Sequence, residues 1–357
     1  MKNIFILLFI ILNISIVTAQ NNYKWGVDLD YFFNNSEYDK STYAESVTMQ
    51  GIWLKPRGRI SWDKENSIDA GVNLLAIPGN KKTLEKINLT MFYQFQKKSI
   101  LFKVGSFPRQ ETLGNYDTFF FRDSVNYYTP NMRGVFWQVG RKNNFINAWI
   151  DWTGNASHKV REDFFVGFSG KASTDIFFAE FQSYMFHRAL TNPPIEGEGV
   201  SENIQIQAMA GINYTSPKGF NVLAAGGVLA GYERDRRYDN TLYKPIGYVA
   251  KFNLEYWGIG TRNSFYIGDP RMILYNDFGG SLYHGTPFLQ GKSYLKNELY
   301  IKLIENRTVD VIFFSNMHFS QKEVLFQQLL TVTARVGNLF PRSKKKTNYP
   351  WKDLFNY

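Results

Sequence analysis

The sequence contains no cysteine. Disulfide bonds, thiolate metal sites and a lipid anchor on an N-terminal cysteine are therefore excluded. Histidine is also scarce, and His158, His187 and His284 show none of the spacings typical of a metal site. The carboxylates form no recognisable catalytic pair. We therefore expect neither a metal nor another cofactor, and we predict that the protein is not an enzyme.

Long hydrophobic runs are missing beyond the first residues. Lys2 precedes the mostly apolar run Ile4–Val17, and Thr18 and Ala19 supply the small residues of a cleavage site, so we predict a secretory signal peptide at 1–19. The alternative is a membrane anchor, but the run is short for a helix that needs about 20 residues. The later sequence contains no run of about 18 apolar residues, so no spanning helix is predicted there.

A concentrated basic patch is also missing. The net charge is +10, yet Lys and Arg are spread along the chain apart from Arg342–Lys346, so nucleic-acid binding is not expected. Aromatic residues, mainly Phe and Tyr, reach 17%, which suits side chains at a membrane interface. The mean hydropathy of −0.31 does not oppose a membrane protein, because a barrel carries apolar residues only at every second position.

Residues 203–214 are the clearest example of such alternation. One parity is apolar and the other is mostly polar, with Met209 as the exception. Successive side chains of a strand point to opposite faces, so this segment has one apolar face. It is long enough to cross a bilayer as a tilted strand, which takes about 9–11 residues. The apolar parity comprises Ile204, Ile206, Ala208, Ala210, Ile212 and Tyr214.

The same pattern recurs through the chain and predicts an all-β fold, a transmembrane antiparallel up-and-down barrel of about 16 strands, with 14 to 18 as the range. We expect the barrel to span 20–340 and a basic and aromatic periplasmic tail to occupy 341–357. The predicted strands are 23–32, 46–62, 67–76, 86–96, 99–108, 134–141, 144–153, 162–170, 173–185, 203–215, 219–231, 246–257, 259–267, 292–304, 307–318 and 323–340.

The connections distinguish a membrane barrel from a soluble sandwich. They alternate between short turns, such as 63–66 and 142–143, and long loops, such as 109–133 and 268–291. This is the asymmetry of outer-membrane barrels, which have short periplasmic turns and long outer loops. The segment 319–322 is the exception, a short outer connection. A sandwich gives no reason for such alternation.

Aromatic residues at strand ends are typical of a membrane girdle. The girdle candidates are Trp62, Trp152, Tyr214, Tyr256 and Phe340. Together with the alternating strands and loops, the segments Gly105–Arg109 and Tyr294–Tyr300 resemble bacterial outer-membrane porin-like β-barrels, in particular those of the Bacteroidetes group. The resemblance implies a channel in the bacterial outer membrane, in contact with lipid and lipopolysaccharide. Assembly into a homo-oligomer is left open.

A basic ladder on the second strand is the best functional candidate. Lys55, Arg57 and Arg59 share the parity opposite to the apolar residues, so they should point into the lumen in a row spaced about 6.5–7 Å apart. Such a row would favour anions in a narrow pore. The alternative is that these cations pair with lumen carboxylates and stiffen the wall.

Further charges complete the predicted site. The loop 109–133 is too apolar for full solvation, so it either folds into the lumen with a constriction or forms an outer cap. The loop 232–245 is expected to be a solvated charged loop near anionic lipopolysaccharide. The predicted pore-lining and selectivity residues are Lys55, Arg57, Arg59, Lys103, Arg109, Arg122, Asp123, Arg133, Lys296 and Arg335.

These features predict passive diffusion of small polar solutes, with anions as candidates. The first alternative is a non-conducting barrel that acts as a scaffold or assembly partner through its loops and tail. The second is an outer-membrane lipid hydrolase, because His318 and Ser320 share one parity near the outer end of a strand and could act as base and nucleophile.

Overall fold

The computed structural model describes residues 22–141, 143–237, 240–340 and 349. Sixteen antiparallel strands pair with their sequence neighbours, and the first strand pairs with the last to close the barrel. The predicted fold class and strand number are confirmed. The strands are β1 (Asn22–Glu37), β2 (Val47–Ser61), β3 (Asn66–Ala76), β4 (Lys86–Lys97), β5 (Ile100–Pro108), β6 (Asn131–Arg141), β7 (Asn144–Gly154), β8 (Asp163–Ser173), β9 (Phe177–Arg188), β10 (Ser201–Thr215), β11 (Asn221–Asp235), β12 (Ile246–Tyr256), β13 (Ile259–Gly268), β14 (Ser293–Glu305), β15 (Val309–Ser320) and β16 (Glu323–Gly337).

The outer surface of the barrel is apolar, as the alternation predicts. On β4, Ile87, Leu89 and Met91 are 66%, 60% and 55% exposed, whereas Thr90 and Phe92 point inward and are buried. Because the closed ladder pairs the backbone of every strand, no open sheet edge faces lipid. The barrel is therefore of the kind that spans the bacterial outer membrane.

Loop length separates the two ends of the barrel. Connections 62–65, 98–99, 257–258 and 306–308 lie at one end, and the long connections 109–130 and 269–292 lie at the other. The end with short turns is the periplasmic end by the rule for bacterial barrels. Among the described residues, no helix has the length and apolar character needed to cross a membrane.

The two longest connections fold into the lumen, and we call residues 109–130 and 269–292 the first and second inward loops. The first contains the short helices α1 (Arg109–Leu113) and α2 (Asp123–Tyr128), and the second contains α3 (Tyr275–Phe278). Phe119, Phe120 and Phe121 are almost fully buried and pack with inward-facing rings of the wall such as Trp149 and Phe165. The core of this protein is therefore inside the barrel, where sixteen strands would otherwise leave an aqueous channel.

Polar side chains of β10 hold the first inward loop. Gln205 donates to the Phe119 carbonyl at 2.7 Å, and Gln207 donates to the Asp117 carboxylate at 2.9 Å. Both glutamines are buried. The apolar parity of β10 faces lipid as predicted, but Gln205 and Gln207 of its polar parity bind the first inward loop.

A buried carboxylate holds the second inward loop. Glu233 on β11 accepts hydrogen bonds from the Met272 and Ile273 amides at 2.8 and 3.0 Å and from the Tyr283 hydroxyl at 2.7 Å. Arg271 donates to carbonyl oxygens of β11 and of the segment before β12. Glu233 is 1% exposed, so this part of 232–245 is not the solvated loop that its charges indicate.

The last strand ends before the predicted aromatic terminus. β16 stops at Gly337, and the ring of Phe340 lies against Gly26, where an added Cβ atom would come within 2.4 Å of it. Phe340 therefore packs at the periplasmic mouth instead of in the outer girdle. Tyr349 packs against Gly258 and bonds to Glu305. The predicted signal peptide and the rest of the predicted tail lie outside the described residues.

Gly105 provides a test of backbone strain in the wall. Its φ is +124°, and a Cβ atom would lie 2.3 Å from the Met91 carbonyl oxygen. We expect Gly105→Ala to lower the free energy of unfolding by about 1–3 kcal/mol, measured by urea unfolding in lipid vesicles. Gly58→Ala is the control, because its nearest neighbour would be 3.9 Å away. Equal unfolding free energies for the two variants would contradict the expected strain at position 105.

The ion pair between Arg109 and Asp151 fixes the start of the first inward loop. The Arg109 guanidinium lies 2.5 Å from the Asp151 carboxylate, and both side chains are buried. Asp151→Asn leaves a buried cation without its counter-charge, so we expect a loss of about 3–5 kcal/mol of unfolding free energy. In the matched control, Glu65→Gln removes the exposed pair with Lys97 and should cost under about 1 kcal/mol. Similar losses for both pairs would argue against this role.

Candidate functional site

The basic ladder of β2 faces the lumen, and its cations are paired. Lys55 lies 2.5 Å from Asp30. Arg59 contacts Asp69 at 2.8 Å, and Arg57 lies 3.7 Å from the same carboxylate. Asp69 is fully buried. Its place opposite Arg59 in the β2–β3 register explains why the two side chains meet.

The first inward loop supplies a third carboxylate to the ladder. Glu111 on α1 accepts from Arg57 at 2.9 Å. Three cations therefore meet three carboxylates, which is the wall-pairing arrangement. An anion would have to compete with these carboxylates for the guanidinium groups. A role of the ladder in selectivity remains a prediction.

Lys103 and Arg109 are both buried. The Lys103 ammonium is within 6 Å of the Phe92, Phe107 and Phe136 rings, and it donates to the Thr112 hydroxyl at 3.1 Å. Arg109 begins helix α1 rather than lying on the fifth strand. Both cations hold the wall to the first inward loop.

Arg122 joins the two inward loops. Its guanidinium donates to the Tyr283 carbonyl at 2.7 Å and to the Gly285 carbonyl at 3.3 Å, and its amide donates to the His284 carbonyl. Burial, with help from the charges of Arg109 and Arg122, holds the pKa of His284 well below its usual range. The His284 imidazole is therefore neutral.

Arg133 does not point into the lumen. The sequence pattern placed it in a loop, but β6 begins at Asn131, and Arg133 shares the outward parity of Trp137. Its side chain is exposed near the outer end of the strand. At this height it faces the headgroup zone of the outer leaflet, so the expectation of a pore-lining Arg133 has to be corrected.

Lys296 and Arg335 face the lumen at different heights. The Lys296 ammonium is buried and lies 2.9 Å from Glu298. Arg335, near the periplasmic mouth, lies 2.9 Å from Asp28. As in the ladder, each cation has a carboxylate of the wall beside it.

Two large cavities lie inside the barrel in the part of the chain that the structure describes. The inner cavity, of about 790 Å³, opens between periplasmic residues such as Asp28, Arg57 and Arg335. The outer cavity, of about 650 Å³, lies beneath the loop after β1. Thr118, Asp123 and Lys296 line both cavities. The inward loops thus narrow the lumen to a constriction that carries one acidic and one basic side chain.

A buried histidine lies on the wall of the outer cavity. The Gln327 amide donates to Asn34 at 2.9 Å and accepts from Asn316 at 2.9 Å, so its oxygen is the atom that lies 3.0 Å from His318 Nε2. With the Gln327 amide in this orientation, Nε2 is the nitrogen that donates. Nδ1 is the acceptor, and the Tyr294 hydroxyl donates to it at 2.7 Å.

The hydroxyl of Ser320 is buried beside this histidine but is not hydrogen-bonded to it. Ser320 lies opposite Tyr294 in the β14–β15 register, and the Tyr38 hydroxyl lies 3.1 Å from His318 Nε2. Both imidazole nitrogens are thus engaged by other groups. Parity alone places His318, Ser320 and Tyr294 inside the barrel, but it does not reveal which hydroxyl reaches the ring.

A metal centre would be a different kind of site from the polar cluster around His318. Within the described part of the chain, no three acidic, histidine or cysteine side chains come together as metal ligands would. The chemistry available around His318 is proton transfer between an imidazole, two phenols and a serine. Such groups can activate a hydroxyl or a water molecule.

Comparison with solved structures agrees with the barrel. A loop-deletion mutant of OmpT, an outer membrane protein of Vibrio cholerae, matches with a TM-score of 0.52 at 6% identity, covering 88% of this chain and 99% of that one. The anion-selective porin from Comamonas acidovorans matches with a TM-score of 0.52 at 8% identity, covering 89% and 99%. The resemblance to porin-like barrels is confirmed at the level of the fold.

Comparison of the sequence with protein families bears on the expectation that the protein is not an enzyme. The profile of the lipid A 3'-O-deacylase-type family matches residues 17–336. No curated protein matches the sequence significantly. The expectation that the protein is not an enzyme is wrong, because the family that matches nearly the whole chain is named for a deacylase, which is a hydrolytic activity.

Proposed function

Because the chain belongs to the lipid A 3'-O-deacylase-type family, we propose that it hydrolyses an ester-linked acyl chain of lipid A in the outer leaflet of the outer membrane. The observation that carries the proposal is the family match over 17–336, which includes almost the whole barrel. The buried polar cluster around His318 and the outer cavity beside it support this assignment.

Hydrolysis of the ester needs a nucleophilic oxygen and a base. The oxygen forms a bond to the acyl carbonyl carbon while its proton passes to the base. The bond from that carbon to the lipid A oxygen then breaks, and this oxygen takes the proton. Water is consumed, and a carboxylic acid and a free hydroxyl group are released. General base catalysis of this kind contributes about 10²–10⁴-fold to the rate.

His318 is the base in this proposal. Its Nδ1 carries the lone pair, and Gln327 keeps the proton on Nε2. The Tyr294 hydroxyl occupies Nδ1 in the resting arrangement, so the nucleophile has to replace it. Ser320 is the candidate for this exchange, since it lies opposite Tyr294 and its hydroxyl has no hydrogen-bond partner.

Replacement of the histidine tests the base. We expect His318→Gln to lower the rate of acyl release by about 10²–10⁴-fold, measured by mass spectrometry of lipid A incubated with the purified barrel in vesicles. His158→Gln is the control, because His158 is exposed in an outer loop. Heat-modifiable electrophoretic mobility verifies that both variants fold. An unchanged rate for His318→Gln would remove this residue from the mechanism.

Replacement of Ser320 shows whether the serine hydroxyl or a water molecule is the nucleophile. If Ser320 attacks the ester, the acyl chain is first transferred to the serine, and water then hydrolyses this acyl-serine to release the acid and restore the hydroxyl. Ser320→Ala should then abolish the activity. If His318 activates water directly, Ser320→Ala should retain most of it, and the nucleophilic role of Ser320 is refuted. Absence of acyl release from the unaltered protein would refute the hydrolase proposal itself.

A second candidate function is a channel for small polar solutes, and the two cavities favour it. They lie in series along the barrel and share Thr118, Asp123 and Lys296. Passage requires only that the constriction at these residues admits water. Single-barrel conductance in a planar bilayer tests this candidate, and a barrel that never conducts would refute it.

The ladder offers a test of selectivity in that channel. We expect Arg57→Glu combined with Arg59→Glu to reduce anion preference, because two lumen cations become anions beside the buried Asp69. The measurement is the reversal potential in a salt gradient. Arg133→Glu, on the outward face, is the control and should leave the potential unchanged. A reversal potential unaffected by the double substitution would exclude the ladder as the selectivity element.

A further inference from the structure

We propose that lipid reaches the outer cavity over the hairpin between β15 and β16, with its headgroup inside the barrel and its acyl chains outside. The inference rests on the proposed hydrolase function and adds to it the direction from which the substrate arrives. The bound species would be an acylated lipid of the outer leaflet, taken directly from the membrane and not from solution.

The connection between neighbouring strands at the outer end is shortest at this hairpin. β15 ends at Ser320 and β16 begins at Glu323, so Gln321 and Lys322 form the whole connection. The other outer connections in the described chain are much longer, for example 189–200, and 269–292 folds into the lumen behind its own strands. A lipid that moves sideways from the membrane therefore meets the fewest loop residues here.

The outward face of the hairpin is apolar up to its tip. Phe319, Val324 and Phe326 are 37%, 45% and 45% exposed and point toward lipid. They form a surface for acyl chains directly below the rim. Lys322 at the tip is exposed and would attract the anionic headgroup of an outer-leaflet lipid.

The inward face of the same strands carries the proposed base. His318 and Ser320 alternate with Phe319, so a single layer of backbone separates the acyl surface from the cavity. An ester joins the headgroup to the acyl chain. A lipid that straddles the rim with its headgroup in the outer cavity would therefore bring its ester bond to the inward side of this wall, on which His318 lies.

The outer cavity suits a polar headgroup. Its lining combines aromatic rings with amide side chains, and its few charges are of both signs. Gln321 donates to the Tyr43 hydroxyl, so the rim directly borders the cavity. Among the lining groups are Tyr38, Tyr43, Tyr275, Asn34, Asn276 and Gln290.

Raising the rim tests the path of the substrate. An insertion of six Gly and Ser residues between Gln321 and Lys322 should reduce hydrolysis of lipid A in vesicles by about tenfold or more. Hydrolysis of a water-soluble short-chain ester, p-nitrophenyl butyrate, should be unchanged. The same insertion after Gly79, in an open part of the loop after β3, is the matched control and should affect neither substrate.

Each outcome has a separate meaning. Undiminished hydrolysis in vesicles by the 321/322 insertion would overturn the rim as the path. Loss with both substrates, in a protein of normal heat-modifiable mobility, would overturn it as well, since the insertion would then damage the site rather than block access. If the unaltered protein hydrolyses neither substrate, the proposed function itself fails.

Photo-crosslinking tests the same path without catalysis. A benzophenone side chain in place of the exposed Val324, which leaves Lys322 at the tip, should label lipid A in mixed vesicles about threefold or more above its share of the lipid, because the headgroup collects at the tip. The same side chain in place of Lys244, on the rim before β12, is the control and should label lipids in proportion. Proportional labelling at both positions would overturn the proposal.

Discussion

The ladder between β1 and β16 is the constraint on which the rest of the structure depends. It joins the two strands that lie furthest apart in the chain over a register that runs from Gly26 opposite Gly337 to Glu37 opposite Phe326. An unpaired edge in the hydrocarbon layer would cost several kcal/mol for each polar group. Once the ladder closes, each side chain faces either lipid or the lumen, and a shift of one residue would exchange the two faces.

The lumen then poses a second requirement, because its polar side chains need partners. The inward loops satisfy much of this requirement through the backbone. Gln205 and Glu233 bind the loops, and Arg109 and Asp151 pair beneath them. The same loops separate the inner and outer cavities. A fold shared with porins can in this way present a confined site close to the membrane.

The sequence predicted the wall better than the interior. Strict alternation, as on β4 and β10, sets all strands and the lipid face, since parity depends only on neighbouring residues. The interior depends on contacts between distant segments. Parity placed Arg57 and Arg59 correctly but could not show that Asp69 and Glu111 neutralise them. Arg133 was misplaced because a boundary error of a few residues moved it from an outward strand position into a loop. The deacylase relationship comes from a family match over residues 17–336.

The carboxylate of Glu233 has a consequence for the order of assembly. Its partners lie about forty positions further along the chain, and the first inward loop relies on β7 and β10 in the same way. The closing ladder joins residues about three hundred positions apart, and contacts of longer separation form more slowly. The inward loops would therefore bind β7, β10 and β11 before the first and last strands meet, and the barrel would close around a lumen that is already partly filled.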